Sequence, residues 1–225
     1  MRSRKCTEVI AAVVASAALA IIVLSSCEFA PRVDRKLHAE IGRSLAREAL
    51  SLLGQGGQIT LITRDTEAFR QPALDVLLDS FKREVRRAQA VIAGTQLIQA
   101  DPLRPVEVPS GDYFELIRRS SGEHVIVSLL GPPLLTEEQR SKLGRVKPKI
   151  VAFCSGGLAE NIDLPRLLEA GLLHSAVVSR PVSQIAVTNP SKTPNSFEQL
   201  YTTVRAPTSS NAPAQTSAPP DIGSR

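Results

Sequence analysis

Between residues 34 and 53 apolar side chains return every four positions, at Leu37, Ile41, Leu45 and Ala49, and Leu50, Leu52 and Leu53 widen the stripe. That period predicts an amphipathic helix with one buried face. Asp34 stands where an N-cap is wanted, and the run Gly54-Gln55-Gly56-Gly57 ends the helix. The pattern then changes to short apolar runs. Residues 58–63 (QITLIT) predict a strand, and from Pro72 a second helical period passes through Leu74, Leu77, Leu78, Phe81 and Val85 to Arg87. Lys82, Arg83, Arg86 and Arg87 crowd its last turns, where cations complement the helix dipole. We prefer that role for this dense basic cluster over phosphate binding.

The alternation continues. Strands are expected at 90–98, 123–130 (EHVIVSLL), 149–154 (KIVAFC) and 174–179 (HSAVVS), and helices at 112–119, 136–144 and 164–170. The helix from 136 opens on the capping-box pattern Thr136-Glu137-Glu138-Gln139, and the one from 164 closes at Gly171. Runs such as Val125-Ile126-Val127 lack polar alternation, which is the signature of strands covered on both faces. Right-handed crossovers then make a doubly wound, mostly parallel five-strand sheet of Rossmann-like α/β type, in the order 2-1-3-4-5, with the 34–53 helix packed alongside. Residues 182–187 offer a further edge strand. The domain is placed at 28–187, and 188–225, rich in Pro, Ser, Thr, Ala and Asn, are expected to form a disordered tail.

Composition narrows the setting. A chain of 225 residues that is 43% hydrophobic and 22% charged has room for one domain of roughly 150 residues with attachments. Three Cys and three His exclude a multi-cysteine zinc site or a disulfide scaffold. A single stretch, residues 9–24, approaches bilayer-spanning length; it is uncharged and follows Arg2, Arg4 and Lys5. It closes on Leu24-Ser25-Ser26-Cys27, which resembles the bacterial lipobox. The resemblance implies that Cys27 carries lipid and becomes the mature N-terminus, with 28–32 as the start of a spacer. Two alternatives stay open: an uncleaved single span with its basic end cytoplasmic, and an ordinary cleaved signal peptide. All three put the body outside the cytoplasm, and the first two make a bacterial membrane its partner. Once Cys6 is removed and Cys27 lipidated, Cys154 has no disulfide partner, and such a thiol belongs in a core.

The net charge of +5 is dispersed, since residues 28–180 hold 21 basic and 19 acidic side chains. With 4% aromatic residues and no Trp there is neither a basic stripe nor a stacking platform, so nucleic acid is not expected as a partner.

In an open α/β sheet ligands bind beyond the carboxyl ends of the strands. The candidates are therefore Arg64, Asp65 and Thr66 after the first strand, Gly131 after the third, Ser155, Gly156 and Gly157 after the fourth, and Arg180 after the fifth. Arg64 and Arg180 suit an anionic ligand, with the Ser155–Gly157 backbone supplying N–H groups. The plainer alternative is that Gly and Ser turn the chain and the arginines are solvated. Cofactor motifs fail on placement: Gly54, Gly56 and Gly57 precede the first strand, and no GxxxxGK[ST] run exists. A receiver-type acceptor aspartate is missing where the third strand ends in Leu129-Leu130-Gly131-Pro132. Cys154 falls at the far end of the strands from His124 and His174, roughly 16 Å away at ~3.3 Å per residue. No GxSxG elbow is present, and Ser155 has no histidine expected on its edge.

The layout of residues 58–180, with its extracytoplasmic address, resembles one lobe of a type I periplasmic solute-binding protein. Such proteins clamp ligand between two lobes, and this chain has length for one. The expectation is a membrane-tethered binding or scaffold domain of the bacterial envelope, non-catalytic, without cofactor or metal, and partnered by an envelope protein. The alternative is an extracytoplasmic hydrolase using Asp65 and the Ser155-Gly156 loop.

Overall fold

The computed structural model describes residues 33–67, 70–99, 107–181 and 196–207. Along them run α1 (Arg35–Leu52), β1 (Ile59–Arg64), α2 (Pro72–Arg87), β2 (Ile92–Ile98), α3 (Ser110–Arg119), β3 (Val125–Ser128), α4 (Glu137–Ser141), β4 (Lys149–Cys154), α5 (Gly157–Asn161), α6 (Leu164–Glu169), β5 (Ser175–Ser179), α7 (Ser196–Leu200) and β6 (Tyr201–Arg205). The strands order as β2-β1-β3-β4-β5-β6. The first five are parallel in the expected 2-1-3-4-5 arrangement, with Leu61 level with Val127 and Val127 level with Val151. Cys27, the 9–24 segment and the edge strand expected at 182–187 lie outside the described residues.

Two findings depart from expectation. The sheet has six strands, because β6 joins β5 antiparallel, and residues 196–205, assigned to a disordered tail, form α7 and β6. The tail composition hid two aromatic anchors. Phe197 and Tyr201 stack with ring centroids 5.8 Å apart, and Tyr201 lies 5.8 Å from Phe153 of β4, so this segment has apolar surface to bury after all.

The sheet separates two cores. On one face α1 and α2 bring Ile41, Leu45, Leu77, Phe81 and Val85 against Ile59, Leu61, Val125, Val127 and Val151. On the other, α3 and α6 bring Tyr113, Ile117, Leu164 and Leu168 against Ile62, Ile126, Ile150 and Ala152. Coverage on both faces explains why β3 is buried at every position and why its sequence shows no alternation. Helix α1 reaches α2 closely because Gly42 meets the Leu77 carbonyl, where a Cβ would overlap the oxygen, and Ser80 Oγ donates 2.8 Å to the Ala39 carbonyl. The glycine run after α1 has a similar cause. Gly54 N–H donates 3.2 Å to the Glu123 carbonyl, and neither Gly54 nor Gly57 has space for a Cβ beside Glu123. The predicted capping box is present: Gln139 N–H donates 3.2 Å to Thr136 Oγ1, and Gln139 Oε1 accepts from Thr136 N–H at 2.9 Å.

One polar cluster crosses the interface between α1 and the sheet. Glu48, 5% exposed, accepts 2.8 Å from Ser175 Oγ of β5 and 2.7 Å from Arg205 Nε of β6, and a second Arg205 nitrogen reaches its other oxygen. Burial alone raises a carboxyl pKa; here the Arg205 and Ser175 hydrogen bonds, with the charges of Arg205 and Arg47, reverse that and hold Glu48 below its ordinary value. Removing the cation strands a buried charge. Arg205→Ala is expected to cost about 1–3 kcal/mol, less than the ~3–5 kcal/mol of a fully enclosed pair, because solvent screens its side chain. Urea unfolding of wild type, Arg205→Ala and Glu48→Gln/Arg205→Met checks this: the double variant should recover most of the loss, and an Arg205→Ala midpoint equal to wild type would refute the role.

Candidate functional site

Strand β1 is flanked by β2 on one side and β3 on the other, so the chain's crossovers diverge between β1 and β3. At the carboxyl end of that switch lies a cleft of about 210 Å³. Its walls are Leu74 and Leu77 of α2, Leu129 and Leu130 after β3, and Phe153 of β4; its polar groups are His38, Arg64, Gln71 and Ser155. Arg64 ends β1, and its Nε is buried without a hydrogen-bond partner among the described residues. Gln71 precedes α2 and makes no side-chain cap bond to it. Desolvated in this way, a guanidinium N–H is free to bond an acceptor placed in the cleft.

Of the eight candidates, Arg64 and Ser155 meet in this cleft. The others have different employment. Asp65 Oδ1 accepts 3.0 Å from Glu67 N–H, closing a turn that also contains Thr66. Gly131 turns the chain at φ +94°, and its carbonyl accepts 3.4 Å from the Tyr113 hydroxyl. Gly156 N–H, expected to face ligand, donates 3.0 Å to Ser179 Oγ instead. Gly157 lies inside α5, a short helix that sequence reasoning took for loop. Arg180, expected to share an anion with Arg64, points its Nε at the carbonyls of Glu198 (3.1 Å) and Tyr201 (3.4 Å), fastening the added α7–β6 segment. It also stands three strands from β1, about 14 Å at ~4.8 Å per strand.

The cleft holds a residue that the sequence reading did not single out. His38 lines it, so Ser155 does have a histidine on its edge. The signal was its position between Leu37 and Ile41, on the flank of the α1 stripe; what was missing was the direction in which α1 crosses the sheet.

No protein-family model and no curated protein sequence matches the chain. Several solved structures are similar to part of the chain. They include a periplasmic ribose ABC transporter from Conexibacter woesei, with 13% identity over 63% of this chain and 45% of that one and a TM-score of 0.40. A solute-binding protein of an ABC transporter from Burkholderia graminis, in complex with D-arabinose, gives 18% identity over 67% and 49% with a TM-score of 0.44. A glucose-galactose binding protein from Geobacillus stearothermophilus gives 13% over 65% and 48% with 0.37. The chain spans about half the length of each.

The amino ends of the strands carry the other histidines, as expected. His124 precedes β3 and His174 precedes β5, whereas Cys154, level with Val178 and fully buried, is four residues along from His174, roughly 13 Å at ~3.3 Å each. Burial pushes the Cys154 thiol up to about 12, so it is a core side chain and no nucleophile. Among the described residues no group of His, Cys, Asp and Glu is placed to hold a metal.

His174 is coupled to folding. Its Nδ1 accepts 3.2 Å from Ile150 N–H, and burial, together with the charges of Lys149 and Lys147, lowers it to about 4 from 6.5. A lowered native pKa means that the unfolded chain binds the proton first, so this contribution is whole above pH 6.5 and is lost as pH falls from 6.5 to about 4. Glu48, also lowered, adds to the loss below its ordinary 4.5. Melting temperature should therefore be level between neutrality and about pH 8 and fall across that acid window. His174→Asn, whose Oδ1 can replace the Nδ1 acceptor, should flatten the upper part of the fall; an unchanged profile would exclude His174 as the source.

Proposed function

We propose that the protein is a membrane-tethered, extracytoplasmic binding domain of a bacterial envelope that seats a small anionic group in the cleft at the switch point and performs no chemistry on it. The observation that carries this reading is the buried Nε of Arg64, without a hydrogen-bond partner among the described residues, in a cleft that five apolar side chains share with His38, Gln71 and Ser155. At ~30 Å³ per water the cleft holds about seven waters, below the ~300 Å³ of the smaller drug-sized sites. That volume suits a carboxylate on a small solute or one acidic side chain of an envelope protein. Among the described residues no carboxylate lines the cleft, so none of them opposes an anion there by like-charge repulsion.

The tether rests on residues 1–27. Support for it is the uncharged 9–24 stretch behind Arg2, Arg4 and Lys5 and the lipobox-like Leu24-Ser25-Ser26-Cys27; among the described residues no helix is long and apolar enough to cross a membrane. Protein isolated from the membranes of a bacterial host that processes lipoproteins should have the mass of a chain starting at Cys27 with added acyl groups, and Cys27→Ala should lose that mass. A full-length mass in both would replace the lipid with a spanning helix.

A second reading, an extracytoplasmic hydrolase, draws support from Ser155 and His38 lining one cleft. The two readings part on one set of measurements. With acetate and succinate as probes, amide shifts of Leu130 and Ser155 should saturate in the wild type and vanish in Arg64→Ala, while a fluorophosphonate reagent leaves Ser155 unlabelled. Equal saturation in Arg64→Ala would sink the binding proposal, and labelling of Ser155 would establish the hydrolase.

A further inference from the structure

The opposite edge of the sheet holds a larger depression, a groove of about 450 Å³ at the amino ends of the strands. The segment between α4 and β4 forms one wall. Pro148 is buried and pins it, while Arg145 and Val146 stand exposed and Lys147 and Lys149 are half-buried. Arg145, Lys147 and Lys149 all line the groove. Among the described residues none of the three has a carboxylate within ion-pair distance, although Arg140 and Lys142 just upstream pair with Glu137 and Glu138.

One carboxylate lines the groove, that of Glu123, which packs against Gly54, where a Cβ would overlap Oε2; among the described residues it makes no ion pair. Three cations against this single anion leave two positive charges around the groove. The groove's imidazole, His174, spends Nδ1 on the backbone of β4. In the neutral tautomer that this bond selects, Nε2 carries the proton and is its remaining donor.

We propose that this groove is a binding site for a phosphate group, with Arg145, Lys147 and Lys149 bonding its oxygens and His174 Nε2–H donating beside them. Phosphate fits better than a carboxylate because its charge of about −1.5 to −2 matches the surplus, and its three oxygens can take one guanidinium fork and two ammonium groups together. The groove exceeds the needs of one phosphate, and Leu52 and Val146 give an apolar wall to whatever bears it. A soluble phosphate ester and a phospholipid headgroup share this chemistry. The site is separate from the cleft at the carboxyl edge and stands whether or not that cleft binds an anion.

A bound phosphate would add negative charge beside an imidazole now surrounded by Arg145, Lys147, Lys149 and Glu123, so the His174 titration reports occupancy. The full chain is placed in neutral phosphatidylcholine nanodiscs and the His174 ring is followed by NMR, with and without inorganic phosphate. A parallel sample contains phosphatidylglycerol and no phosphate. The expected result is a rise of the His174 pKa by about one unit or more in at least one arm, the arm identifying a soluble or a lipid source. In Arg145→Ala/Lys147→Ala, two positions without side-chain partners among the described residues, the response should weaken by about tenfold or more in phosphate or lipid concentration. No rise in either arm overturns the proposal, and so does a rise that persists undiminished in the double variant.

Discussion

A carboxylate enclosed between a helix and a sheet requires a cation brought to it, and for Glu48 that cation comes from 157 residues further along the chain. Ser175 and Arg205 lie level on neighbouring strands, so both donors reach one carboxylate from the same rung of the sheet. The arrangement reads register. A slip of one residue in β6 would turn Arg205 to the other face and leave Glu48 buried with Ser175 alone. The same contact binds α1 to β5 and β6 at once. At the other end of the β5–β6 pair, Arg180 bonds the carbonyls of Glu198 and Tyr201, and Tyr201 packs on Phe153 between the two. A segment whose composition reads as tail is thus held at three points, each specified by a residue far from it in sequence.

That distribution explains what could be read from the chain in advance. Most elements of residues 35–179 announce themselves locally, since Leu37, Ile41 and Leu45 share a helical stripe and Val125, Ile126 and Val127 need no neighbour to read as a buried strand; α5 is the exception, because its Gly156-Gly157 start reads as a turn. The order of five strands follows from crossover handedness. Strand β6 was not legible in this way, because Tyr201–Arg205 becomes a strand through Glu48, Phe153 and Arg180, none of them near it in sequence. Even so, Phe197 and Tyr201, placed one helical turn apart in a chain with six Phe and two Tyr, were an available cue. Half of the candidate cleft was equally hidden. Arg64 and Ser155 follow from the rule about strand ends, whereas His38 depends on the course of α1, which Gly42 sets by admitting the Leu77 carbonyl.

That course gives the molecule two chemically distinct ends. From His38, at the carboxyl edge, to Leu52, at the amino edge, α1 covers about 21 Å at 1.5 Å per residue. One end offers a desolvated guanidinium nitrogen in a narrow cleft of Leu and Phe side chains with His38, Gln71 and Ser155, and the other a wide groove with three cations near solvent. These arrangements obey different electrostatics. Charges in an open groove are screened over about 8–10 Å at ordinary ionic strength, so attraction there weakens steeply with salt. A buried donor is screened far less, and its satisfaction depends on whether an acceptor of the right size arrives. On the binding roles proposed above, selectivity would belong to the Arg64 cleft and long-range capture to the groove.

The contrast also accounts for the neutral histidine between the lysines. A protonated imidazole would add a third surplus charge to the groove and give up the Nδ1 acceptor that receives Ile150 N–H, loosening β4 at its first rungs. Kept neutral by burial and by Lys149 and Lys147, His174 serves the sheet through one nitrogen and leaves a directional donor on the other. A solvated lysine at that position would supply charge but no acceptor for the strand, and an apolar residue would supply neither. The requirements of the sheet and of the groove thus meet in one uncharged imidazole, which explains why this ring tolerates surroundings that oppose its protonation.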